Sequence, residues 1–239
     1  MATWHAKSTG GYIRTSAEAI DNATLLATAL YNIGWVKKSI CALLGNGAGE
    51  SGLNPWRWES DIVPTVAQFN AWTPAELDHH GYGIFQFTKP TKYINNTVAA
   101  QYAQYGYGPN FSDSPGLVSD GNAQTVFFSN NVAGDWSHGL YNYYYDDFIN
   151  IGVDISPWYY TNYNNFILGV DNSNNSLSLN ELVGVFELCY ERPGDTYAAS
   201  SYNARCNNAA YWMGVIPDGP TTQIPVWLLF KFNDWRRFH

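Results

Sequence analysis

Leu44-Gly45-Asn46-Gly47-Ala48-Gly49-Glu50-Ser51-Gly52-Leu53-Asn54-Pro55 is the stretch on which the reading of this chain turns. Small residues dominate it, and small residues let another backbone or a ligand approach closely. A single carboxylate, Glu50, sits among them. Upstream, residues 37–44 put Ile40, Cys41, Leu43 and Leu44 on one apolar helix face, and downstream come Trp56 and Trp58. In a 239-residue chain with only 13% charged residues, a carboxylate in such company is informative. Burying an ionisable group costs energy that folding alone has no reason to spend. Apolar surroundings suit a carboxyl that must hold its proton near neutral pH, as a glycosidase general acid does. The competing reading places Glu50 at a helix end on the surface, capping or pairing there, which is the commoner fate of a Glu.

Outward from this stretch, the pattern of Leu25, Leu26, Ala29, Leu30 and Ile33 predicts a helix beginning near Asp21 and ending at a Gly34 cap. A second helix is expected over 37–44. Residues 54–87 change to Pro, Trp and Gly punctuation, as in short strands or a small irregular lobe. Residues 97–175 are rich in Tyr, Asn, Gly and Asp and read as short helices and long loops. Within them, Asp171-Asn172-Ser173-Asn174-Asn175-Ser176 invites a calcium-loop reading. However, Ser176 stands where that loop needs Gly, and Leu182 where it needs a bidentate Glu. A loop closing on a helix start fits better, because Ser178 and Glu181 form a capping-box pair ahead of Leu182, Val183, Val185 and Phe186. That helix should stop before Pro193, and a further helix is expected over 200–213.

Length and composition bound the rest. A mass of 26.8 kDa allows one large domain, and 46% hydrophobic with 17% aromatic residues indicates a packed chain. The net charge is −8, and no Lys or Arg occurs between positions 94 and 191, the opposite of what duplex nucleic acid requires. Cys41, Cys189 and Cys206 are odd in number and lack C-x-x-C spacing, so buried thiols are expected. His79 and His80 are adjacent and point apart, and no H-x-H or H-E-x-x-H spacing suggests zinc. No metal or cofactor is expected. The first eleven residues contain no apolar signal region, and no run is long enough to span a bilayer. No internal repeat or linker divides the chain, so a single domain over 1–239 is expected.

Three blocks resemble the phage tail lysozyme family of the lysozyme superfamily. The first runs from Leu44-Gly45-Asn46 through Glu50-Ser51-Gly52-Leu53-Asn54-Pro55 to Glu59; the second is Gly81-Tyr82-Gly83-Ile84-Phe85-Gln86-Phe87-Thr88; the third is Phe186-Glu187-Leu188-Cys189-Tyr190-Glu191-Arg192-Pro193, with Arg205 and Ala209 beyond it. The resemblance implies a predominantly α, α+β lysozyme-like fold with a small β-hairpin lobe. The Tyr/Asn-rich residues 97–177 would be an insertion and 214–239 a tail. It also implies cleavage of the β-1,4 bond between N-acetylmuramic acid and N-acetylglucosamine in bacterial peptidoglycan, by a virion enzyme that works with other tail proteins.

In that picture Glu50 protonates the leaving oxygen, and Gln86 on the facing hairpin binds an N-acetyl group, positions water or braces the turn. A second carboxylate could activate water. Glu59, Asp61 and Asp78 are available; Glu59 is favoured because it lies inside the first block, with tying down a loop as its equal alternative. Tyr190 would orient an N-acetyl group or Glu50, or pack in the core with Phe186. Glu191 and Arg192 read as a structural ion pair. Ser51, Trp56, Trp58, Tyr82 and Phe85 are candidates for sugar contact, about half of the aromatic ones being expected to touch glycan. A lytic transglycosylase, which needs only one carboxylate, and a non-catalytic glycan-binding virion protein remain as alternatives.

Overall fold

The computed structural model describes residues 2–77, 79–86, 109–193 and 195–219. The first part of the expected insertion, 97–108, and the expected tail from 220 onward lie outside the described residues. Among those described the chain is predominantly helical: α1 (Ala17–Asn32), α2 (Lys37–Glu50), α3 (Val66–Ala71), α4 (Pro74–Leu77), α5 (Asp120–Asp135), α6 (Tyr141–Asn150), α7 (Tyr163–Ile167), α8 (Leu179–Phe186) and α9 (Asp195–Val215). The expected helix near Asp21 starts earlier because the Ser16 hydroxyl accepts the Ala19 N–H at 3.2 Å. Its end is as expected: Gly34 takes φ 92° and the Trp35 N–H returns to the Leu30 carbonyl at 3.1 Å.

Two compact units share the chain, one of residues 1–25 and 46–132, the other of 26–45 and 133–239. α1, α2 and α5 each run from one unit into the other. Among the described residues of the first unit, the segment expected to form a β-hairpin lobe carries one antiparallel bridge, Trp58 with Tyr82, and residues 83–86 are turn; residues 87–108 lie outside the described residues. Trp58 and Tyr82 are buried aromatics whose ring centroids lie 4.5 Å apart, joined by Phe69, Trp72 and Phe111. These side chains form an aromatic cluster among the described residues of this segment. No strand longer than a bridge occurs among the described residues.

The second unit is built around α8. Its N-terminus carries the expected capping box, with the Ser178 hydroxyl accepting the Glu181 N–H at 3.2 Å and the Glu181 carboxylate accepting the Ser178 N–H at 2.7 Å. The Asp171 loop before it is organised by its own side chain, which accepts the N–H groups of Ser173 and Asn175 at 2.7 and 2.8 Å. α8 passes into a π turn, Glu187–Glu191, which Arg192 closes at φ 49°. Gly184 lies against Trp158 and Tyr202, where a Cβ would stand 2.5 Å from the Trp ring. Cys41, Cys189 and Cys206 are all buried and unbridged. Burial pushes the Cys41 thiol up to about 12 and the Cys206 thiol to about 11.

α2 does not stop at Leu44 as its sequence suggests; it continues through the glycines to Glu50. Three glycines in its last six residues, Gly45, Gly47 and Gly49, are poor reasons for a helix taken alone. Packing supplies the reason. A Cβ on Gly45 would meet the Arg205 carbonyl oxygen at 2.6 Å and the Ala209 Cβ at 2.8 Å, so α9 can approach only because that residue has no side chain. On the first unit's side, Leu53 and Phe85 fill the space over Gly47.

Candidate active site

Glu50 is the last residue of α2 and is half-buried. Beyond it the chain turns sharply. Gly52 and Leu53 both take left-handed backbone angles, φ 61° and 59°, and the Ser51, Gly52 and Leu53 N–H groups return to carbonyls of the last helical turn. Leu53 accepts this conformation, which costs a branched residue about 1–2 kcal/mol, and buries its side chain to 1% exposure. Ser60, Asp61 and Gln86 are also left-handed, so four of the six non-glycine residues with positive φ among those described fall within 53–86. Strain concentrated in this way is characteristic of functional loops.

The corner is held to the turn at 81–86 by side-chain hydrogen bonds. The buried Ser51 hydroxyl donates to the Ile84 carbonyl at 2.7 Å. Gln124, buried in α5, accepts the Ile84 N–H at 2.8 Å and donates to the Pro55 carbonyl at 2.6 Å, so one amide bridges both segments. Gln86 donates to the carbonyls of Arg57 and Gly83, each at 3.0 Å. Gly83 takes φ 87° directly over the Gln124 amide, a position no side chain could share. Arg57 reaches the Glu50 carbonyl at 3.3 Å and the Asp61 carboxylate at 3.1 Å.

Glu59 is exposed, and its Oε2 accepts the Gly81 N–H at 2.9 Å, while its own N–H donates to the Gly81 carbonyl at 2.8 Å. Asp61 is engaged with Arg57 and with the Gly10 N–H. Asp78 lies outside the described residues. Ser51 faces inward as a brace. Tyr82 and Phe85 have 0% and 1% exposure, so neither ring presents a face to a sugar. Tyr82 instead donates to the Asp120 carboxylate at 2.7 Å, and Trp58, equally buried, donates to the Asn110 carbonyl at 2.6 Å. Trp56 alone of the four aromatics is part-exposed, with its Nε1–H on the Leu117 carbonyl at 3.2 Å.

In the second unit, Tyr190 sits on the π turn with its ring centroid 5.1 Å from Phe186. Its hydroxyl is pushed well above the ordinary tyrosine value, first by burial and then by the Glu191 and Asp135 charges, which Arg192 partly offsets. The hydroxyl therefore keeps its proton and can donate a hydrogen bond. The same turn also supplies one half of a buried ion pair: Glu187 and Arg205, at 0% and 1% side-chain exposure, meet at 2.9 Å, with the Ser201 hydroxyl donating to the same carboxylate oxygen at 2.8 Å. π turns recur at functional sites, and this one carries Tyr190.

Gln124, Asn110 and Asp120 join the site without any sequence signal. They lie 28 to 69 residues from the groups they hold, so no local pattern marks them. His80 stacks on Trp72 at 4.4 Å. Among the described residues no group of three His, Cys, Asp or Glu is placed to hold a metal, and no helix is long and apolar enough to cross a membrane.

A helix-end carboxylate on a strained corner, tied by buried amides to a glycine-rich turn, is an arrangement suited to acid catalysis. Comparison with known proteins narrows the class: the family model for phage tail lysozyme matches residues 21–216, and the chain belongs to that family. The chain is also 32% identical over 74 residues to Morphogenesis protein 1 of Bacillus phage B103. That stretch is 31% of this chain and spans only 17% of the relative's length.

Proposed function

We propose that the protein is a muramidase that cleaves the β-1,4 bond between N-acetylmuramic acid and N-acetylglucosamine, acting from a phage tail to open the wall locally during infection. The observation that carries this reading is Glu50 at the end of α2, on the braced corner within the family-matched range. Glu50 donates its proton to the glycosidic oxygen as the bond breaks. Glu59, oriented by the Gly81 N–H, takes a proton from water attacking the opposite face of the sugar. Trp56 supplies a stacking face. Tyr190 donates to an N-acetyl carbonyl. Ser51, Gln86, Tyr82 and Phe85 position the two loops. Continuity of three helices across the two units supports treating the whole chain as one catalytic domain with an insertion. Its partners are then peptidoglycan and neighbouring tail proteins. The −8 charge leaves recognition of an anionic wall to shape, stacking and hydrogen bonds.

The Glu59–Gly81 bond also favours a second reading, in which Glu59 only braces the loop and Glu50 works alone as in a lytic transglycosylase. Mass spectrometry of digested sacculi separates the two. The muramidase reading predicts products ending in a reducing muramic acid; 1,6-anhydro ends would replace it with the transglycosylase, and no release of either would remove both.

A further inference from the structure

The family match begins at residue 21, yet the corner bearing Glu50 is completed by residues that precede it. Three amides in the first unit, Asn22, Asn54 and Asn110, are buried to about 1% exposure or less, and each finds hydrogen-bond partners in residues 5–10. The Asn54 Nδ2 donates to the Lys7 and Gly10 carbonyls, both at 2.8 Å, and its Oδ1 accepts the Lys7 N–H at 3.3 Å. Asn22 accepts the His5 N–H at 2.8 Å and donates to the carbonyls of His5 and Leu53, both at 2.9 Å, linking this segment directly to the strained Leu53. Asn110 donates to the Ser8 carbonyl at 3.4 Å.

The backbones interlock as well. The Tyr12 N–H donates to the Gly52 carbonyl at 3.1 Å. A Cβ on Gly52 would stand 2.6 Å from the Gly11 Cα, and one on Gly11 would stand 2.6 Å from the Ser51 carbonyl oxygen. Two glycines thus face each other because neither chain leaves room for a side chain. The segment is anchored at its far end by Trp4, buried against Gly121 with its Nε1–H on the Asn122 Oδ1 at 2.6 Å, and close in sequence to Glu59 by the Gly10 N–H on the Asp61 carboxylate at 2.6 Å.

We propose that residues 4–12 form a strap that positions the Glu50 corner for catalysis, making this segment a functional part of the active site. The proposal rests on Glu50 being the acid. Without the strap, buried amides lose the partners that desolvation obliges them to have, and the left-handed pair at 52–53 loses the contacts that hold it. The acid then moves relative to the reacting oxygen. Misplacement of about 1 Å costs roughly 100-fold in rate while leaving binding of the remaining sugars intact.

The test uses purified protein and a soluble peptidoglycan oligosaccharide. Deletion of residues 2–13 is expected to lower kcat about 100-fold with KM within about threefold, and a synthetic peptide of residues 2–14 added in trans is expected to restore kcat where a scrambled peptide does not. Gly11→Ala is the companion variant, should the deletion not fold: its Cβ lifts the strap off Ser51, and the same loss in kcat is expected at temperatures below its unfolding transition. Unchanged kcat in the folded deletion, or in Gly11→Ala where the deletion is unfolded, overturns the proposal, as does a deletion defect the peptide cannot reverse. Glu50→Gln run alongside keeps the two ideas apart. Turnover by that variant removes the acid assignment itself, whereas its inactivity beside a fully active deletion removes only the strap.

Discussion

Arg205→Met severs the Glu187–Arg205 pair and leaves a carboxylate at 0% exposure with its guanidinium partner gone. A surface ion pair is worth less than about 1 kcal/mol, because water replaces the lost partner. Here water has no access, and removing one member of a buried pair costs about 3–5 kcal/mol. The Ser201 hydroxyl, 2.8 Å from the Glu187 carboxylate, remains as a donor and places the expected loss toward the lower end, about 3 kcal/mol. At roughly 2–4 °C per kcal/mol for a chain of this size, the melting temperature falls by about 6–12 °C. The control is the double variant Glu187→Met/Arg205→Met, which exchanges both charges for apolar volume and should recover most of the loss. Urea denaturation of parent, both single variants and the double closes the cycle. A loss below about 1 kcal/mol for Arg205→Met, or a double variant as unstable as the worse single, would refute the view that the cost lies in an orphaned buried charge.

The other predictions concern packing, catalysis and acid stability. Gly45→Ala drives a Cβ into the Arg205 carbonyl and should destabilise by about 1–2 kcal/mol despite better helix propensity. Gly134→Ala, with nothing within 4 Å, should instead stabilise by about 0.5–1 kcal/mol; equal effects in urea melts would dismiss the steric account of the glycine run. Glu59→Gln keeps an oxygen for the Gly81 N–H but removes the base, so hydrolysis should drop about 100-fold in a dye-release assay; near-parental rates would assign Glu59 to bracing alone. The Asp171 carboxyl is held below the usual aspartate range by hydrogen bonds from the Asn175 side chain and backbone and from the Ser173 N–H. Its folded value is depressed, so its contribution to stability is full above the unfolded-state value and disappears as pH falls through the folded one. Asp171→Ala should therefore flatten the acid limb of urea midpoint against pH and leave the slope near neutrality unchanged.

Elements specified by neighbours in the chain are legible from the sequence alone. Ser178 and Glu181 declare the start of α8 because both partners of the capping box lie within one turn, and Gly34 marks the end of α1 for the same local reason. Tertiary causes are not legible in this way. The glycines at 45, 47 and 49 argue against helix on propensity, and only the close approach of α9 to Gly45 explains why α2 persists to Glu50. Tyr82 and Phe85 read as sugar platforms because aromatic type is visible in sequence and burial is not; their rings complete the core beneath the turn. The candidate site is visible in sequence as separate blocks around Glu50 and Gly81, while the amides that join them, Gln124 and Asn110 among them, act across dozens of residues without local signal.

Glu50→Gln tests the central claim most directly, because it preserves the shape of the side chain and removes only its transferable proton. Measured by the fall in turbidity of purified sacculi, with circular dichroism and sacculus co-sedimentation as controls for folding and binding, the variant is expected to bind normally and to lose at least about 100-fold in lytic rate. Lysis at the parental rate by a folded Glu50→Gln protein would contradict the assignment of Glu50 as the catalytic acid and, with it, the reading of this corner as the active site.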